Sequence, residues 1–209
     1  KTLTNTAITS FSSSASHTGG VGIGIDAHGH SVGVSIGWNA GRTHGMDSFA
    51  GTPYISPFGG PWDTFGTIGI GFRATEDIRG KGKYNVAIGY EALQYIGANQ
   101  PYFTNFDNGA GDNIAIGRGA LKNTDFTGYG NVALGSGSGS TITTGDGNTM
   151  LGFNTEPSSA TATAEFKIGA YNTASLDTVT YMSGTASGAV GTVLVNNHLT
   201  VGGNLTVNG

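Results

Sequence analysis

The sequence predicts an all-β chain, a parallel β-roll or β-solenoid of short repeats with two inserted loops. One heptapeptide pattern recurs: apolar, small, apolar, Gly, variable, variable, Ala. Its glycines at 24, 37, 71, 89, 117, 135, 152 and 169 lie 13, 34, 18, 28, 18, 17 and 17 residues apart. Glycine supplies 38 of 209 residues, whereas charged residues make up only 11%. A basic unit of 13 to 18 residues is too short for a pair of helices. It fits one solenoid turn of two short strands and two turns.

The same numbers exclude several classes. Few charges argue against a disordered tail or a coiled coil. Glycine without a strict third-residue period, beside five prolines, argues against collagen. No apolar run approaches the roughly 20 residues of a membrane helix. A net charge of −4 speaks against a general nucleic-acid binder. The chain has no cysteine, so disulfides and thiolate metal sites are excluded. The sequence opens at Lys1 and closes at Asn208-Gly209 inside a repeating pattern, and so reads as a piece of a longer polypeptide.

Taken in order, residues 1–19 form a connecting segment and residues 20–157 the roll. Its copies start with Val21-Gly-Ile-Gly24, Val34-Ser-Ile-Gly37 and Ile68-Gly-Ile-Gly71. The clearest are Asn85-Val-Ala-Ile-Gly89-Tyr-Glu-Ala92-Leu93 and Asn113-Ile-Ala-Ile-Gly117-Arg-Gly-Ala120-Leu121. Asn131-Val-Ala-Leu-Gly135, Asn148-Thr-Met-Leu-Gly152 and Phe166-Lys-Ile-Gly169 come after them. Within each strand, large and small residues alternate, which sends the large ones to one face and Ala to the other. Glycine sits where the chain turns sharply or another backbone comes close. Asn85, Asn113, Asn131 and Asn148 recur at one position. They either form a hydrogen-bonded ladder or each tolerate a turn. Stacked turns pool short strands into one core.

Residues 158–195 read as a transition β region, with a strand near Leu176–Met182. Residues 196–209 read as the start of a hexapeptide shaft, because Leu199-Thr-Val201 returns as Leu205-Thr-Val207.

The Asn-Val-Ala-Ile-Gly copies resemble the head repeat of the YadA-like trimeric adhesins, over roughly residues 20 to 170. Ala27-His-Gly29-His-Ser31-Val32 looks like the outer segment of such a unit. Similar repeats occur in bacteriophage tail fibres and tailspikes, and the hexapeptides resemble phage fibre shafts. The resemblance implies a homotrimer of β-rolls with the Val and Ile rows facing a shared axis. A fibre-shaft-like β-helix or β-spiral would come next. It implies a structural, receptor-binding part of a phage tail fibre or tailspike on the virion, joined to other tail proteins. The alternatives are an autotransporter adhesin head on a bacterial surface and, less favoured, a capsule-degrading tailspike. No nucleic-acid or membrane partner is implied. No catalytic residue is assigned: there is no nucleophile elbow, and the carboxylates are scattered.

The insertions 41–66 and 94–112 are rich in rings that the stacked strands have little room for. Tyr54, Phe58, Trp62, Asp63, Tyr95, Tyr102, Phe103 and Asp107 are the candidate receptor or glycan contacts. Aromatic faces beside carboxylates and amides suit sugar rings. The same rings could instead fold each insertion onto the roll. His28 and His30 alternate on one segment, so both imidazoles could face one way. In a trimer they would offer six nitrogens to a transition-metal ion, as His-x-His does in similar phage fibre tips. The plainer reading is a solvent-facing turn.

Overall fold

A computed structural model describes residues 21–24, 27, 33–41, 66–76, 83–95, 110–123, 126–172, 177–187 and 190–195. The described chain is all-β. Seven three-residue strands come first: β1 (Val21–Ile23), β2 (Val34–Ile36), β3 (Ile68–Ile70), β4 (Val86–Ile88), β5 (Ile114–Ile116), β6 (Val132–Leu134) and β7 (Thr149–Leu151). Three longer ones complete the set: β8 (Glu165–Asn172), β9 (Asp177–Ser187) and β10 (Val190–Val195). All ten lie in one sheet in sequence order. From β1 to β8 each pair is parallel. From β8 to β10 the pairs are antiparallel. Each heptapeptide copy supplies one strand, and like positions pair: Val86 with Ile114, Ala87 with Ala115, Ile88 with Ile116.

The expected second strand of each unit is not there among the described residues. Each unit has one strand among the described residues, and where its outer half is described it is a string of turns. The reason is backbone handedness. Two residues past the motif glycine, φ is positive at Asn39, Arg73, Glu91, Gly119, Gly137 and Asn154. Four past it, φ is positive at Gly41, Thr75, Leu93, Leu121 and Gly139. Left-handed residues at that spacing cannot continue a strand. The turns still bond from unit to unit. Glu91 N donates to Phe72 O at 2.8 Å, Gly119 N to Tyr90 O at 2.8 Å and Leu93 N to Ala120 O at 2.9 Å. Leu93 and Leu121 carry a left-handed cost of roughly 1–2 kcal/mol. Both side chains are fully buried, which returns roughly 1.5–3 kcal/mol.

The motif glycines are where the rungs come closest. Gly37, Gly71, Gly89, Gly117, Gly135 and Gly152 have φ between 124° and 139°. A Cβ on any of them would overlap the carbonyl of the equivalent glycine in the next unit.

The interior is narrow. Ala87, Ala115, Ala133 and Met150 point inward from the strands, opposite Ala74, Ala92 and Ala120 from the turns. Leu93, Leu121, Phe126 and Ile142 are its larger members. Beside it runs an asparagine ladder. The Oδ1 of Asn85 accepts from both N and Nδ2 of Asn113, at 3.0 Å each. Asn113 serves Asn131 at 2.8 and 3.2 Å. Asn131 serves Asn148 at 2.9 and 3.0 Å. Glu165 N closes the ladder on Asn148 Oδ1 at 2.9 Å. Each Nδ2 also reaches a carbonyl three residues before the next rung of the ladder: Ala110, Gly128, Gly145 and Ala162. The recurring asparagines thus bond to one another and do more than tolerate separate turns.

Asn113→Ala would strand the buried Asn131 N–H and empty a hydrogen-bonded cavity. Its expected cost is about 2–3 kcal/mol in denaturant unfolding. Gly117→Ala adds a backbone overlap to a φ that L-residues avoid, and should lower stability by at least about 3 kcal/mol in the same assay.

Candidate functional site

The strand alternation leaves a seam of large side chains on the outside of the described chain. The middle residue of each strand points in. The first and third residues point out and stack into two columns. One column is Val34, Ile68, Val86, Ile114, Val132, Thr149 and Phe166. The other is Ile36, Ile70, Ile88, Ile116, Leu134, Leu151 and Ile168. Ala115 between them is fully buried, while Ile114 and Ile116 are 36% and 39% exposed. Among these fourteen residues only Thr149 is polar, so the two columns form a nearly continuous apolar strip along the sheet.

A third exposed column stands immediately past the glycines: Trp38, Phe72, Tyr90, then Arg118. Trp38 meets Phe72 edge-on with centroids 5.6 Å apart. Phe72 and Tyr90 stack at 5.0 Å. The Arg73 guanidinium sits 5.0 Å from the Phe72 centroid. Trp38 and Tyr90 remain about half exposed. The heptapeptide pattern treats this position as variable, so sequence reasoning passed over it. Reading the copies as aligned rungs would have found three aromatic residues in a row.

No protein-family model, curated protein or solved structure matches this chain.

Of the predicted contacts, only Tyr95 lies among the described residues. It is half-buried, with Lys122 Nζ 5.9 Å from its ring centroid. Lys122 also pairs with Glu91 at 2.5 Å. Tyr54, Phe58, Trp62, Asp63, Tyr102, Phe103 and Asp107 lie outside the described residues, as do His28 and His30. Among the described residues no group of three or more His, Asp or Glu could hold a metal ion.

The structure does describe the residues at which both predicted insertions leave the stacked strands. Gly41 opens the first and Gln94 the second, four and five residues past their motif glycines. A buried polar cluster lies there. Glu76 accepts from Gln94 Nε2 at 2.6 Å and from Asn39 Nδ2 at 3.5 Å. Arg73 Nε lies 3.4 Å from the same carboxylate. These bonds tie together the rungs of Asn39 and Gln94, from which the insertions emerge, through Glu76 on the rung between them.

On the ladder side, the Tyr129 hydroxyl donates to Asp112, and that bond together with the nearby carboxylate charge raises its pKa above 10.0. Deprotonation would break the bond and set two negative charges side by side. The contribution of this contact is therefore present at neutral pH and is lost as pH rises past the raised value. Asp112→Asn should bring the Tyr129 titration back down towards 10. Ultraviolet difference titration against Tyr129→Phe isolates this one phenol.

Proposed function

We propose that this chain is a rod-forming segment of a trimeric attachment fibre, of the phage tail-fibre or tailspike kind, carried on the virion outside the cell. It acts by assembly and surface binding, not by catalysis. The seam carries the reading. Its large side chains point away from the chain's own interior, which is mostly alanine. Fully burying one Ile or Leu side chain is worth roughly 1.5–3 kcal/mol; in the single chain Ile88, Ile114, Ile116, Leu134 and Ile168 are still 36% to 39% exposed, so covering the seam adds a further share of this at every rung. Three chains set side by side around an axis bury three such narrow seams at once. The absence of cysteine fits this arrangement, since durability then comes from assembly and not from disulfides.

In this reading the insertions 41–66 and 94–112 face the host-surface receptor, and Tyr95 anchors the foot of the second. The resulting three-fold display multiplies a weak glycan or protein contact. The fold of the roll is a solenoid, with each unit as one turn.

The test is native mass by light scattering. One chain is 21.1 kDa, so the expected value is about three times that. A mass near 21.1 kDa at high concentration overturns the reading. Ile116→Lys is the matching variant. In the isolated chain Ile116 is already 39% exposed, so a charge there costs the single chain little. In a trimer it places three ammonium groups in an apolar seam, and the assembly should fall to single chains.

A further inference from the structure

The heptapeptide copies end at Phe166-Lys-Ile-Gly169, and from β8 onwards the chain reverses direction with each strand. The pairing nevertheless carries both outer columns onward, one of them with a gap at Gly184. Phe166 pairs with Gly184, which pairs with Val193. Ile168 pairs with Met182, which pairs with Val195. Directly paired residues share a face of a sheet. The column Thr149–Phe166 therefore runs on through Gly184 and Val193, and the column Leu151–Ile168 through Met182 and Val195. The other face carries Lys167, Ser183, Thr185 and Thr192, with Leu194 as its one large aliphatic residue among those described. Lys167 turns back there to donate to the Glu156 carbonyl at 3.0 Å.

Nothing among the described residues packs on the apolar face. An antiparallel sheet of three strands needs one covered face to hold its shape. The columns are collinear with the roll's seam and belong to the same ten-stranded sheet. A copy of the chain lying along the seam therefore meets this face next.

We infer that the β8–β10 meander is part of the same inter-chain contact, and that its apolar face is covered by second copies of this chain. It is not a solvent-exposed spacer between roll and shaft. The strands here have 8, 11 and 6 residues against three in the roll. They thus overhang the two columns, and the contact is broader at this end than along the rest of the rod. The inference rests on the trimeric reading above.

Val193 and Leu194 offer a paired test. They are neighbours in β10, on opposite faces, 62% and 58% exposed in the isolated chain. Without a partner, an aspartate at either site costs the same. With one, Val193→Asp should lower the melting temperature of the full chain by roughly 5 °C or more and weaken the assembly. Leu194→Asp should leave both unchanged. Single cysteines give a second measurement, because the chain has no other thiol. In the native protein Val193→Cys should label with a soluble disulfide reagent about tenfold more slowly than Leu194→Cys. Equal responses at the two positions, in a protein that keeps its three-chain mass, overturn this inference and leave the trimeric reading standing. A single-chain mass for the unaltered protein overturns both.

Discussion

Close approach of backbones at the motif glycines governs this architecture. Adjacent rungs of a parallel sheet stand about 4.8 Å apart, and a chain that must turn out of the sheet at each rung has no room there for a side chain. Gly37, Gly71, Gly89, Gly117, Gly135 and Gly152 meet this condition with one backbone conformation. The course of the chain beyond each glycine is then set as well. The left-handed residues at the second and fourth positions past it fold the outer half into stacked turns. These in turn bring Ala74, Ala92 and Ala120 over the strand alanines.

Such a narrow interior divides the work of holding the chain together. The asparagine ladder and the rung-to-rung main-chain bonds satisfy the buried polar groups, each Asn joining the amides of its own rung and the next. The buried alanines supply close packing but little area. Ile88, Ile114, Ile116, Leu134 and Ile168 stand instead on the seam, each between 36% and 39% exposed. A chain built this way specifies its shape internally and leaves an apolar strip partly uncovered in the single chain.

Much of this was legible in the sequence. Alternation of Val, Ala and Ile marked both faces of each strand, and the recurring Asn marked the ladder. The second strand of each unit was misread, because Glu91, Arg73, Leu93 and Leu121 are ordinary strand or helix residues whose left-handed backbone is imposed by the neighbouring rungs. Trp38, Phe72 and Tyr90 escaped notice because their chemistry is shared across rungs while their identities differ. The continuation of the seam through Met182 and Val193 was hidden for another reason. Reversing chain direction destroys the sequence period but preserves cross-strand register.

Both predicted insertions leave the stacked strands at the same corner, just past the left-handed turns, and the rungs on either side remain paired residue for residue: Val34 with Ile68, and Val86 with Ile114. The corner therefore tolerates added chain of any length, while a single extra residue anywhere from the asparagine to the left-handed turns would throw every column out of phase. The length of the sheet is consequently counted in whole units. Duplicating or deleting one unit changes it by a single strand spacing, about 4.8 Å. Such a molecule can evolve its reach and its loops separately. The number of units acts as a ruler, and the corner acts as a cassette into which new loops can be spliced.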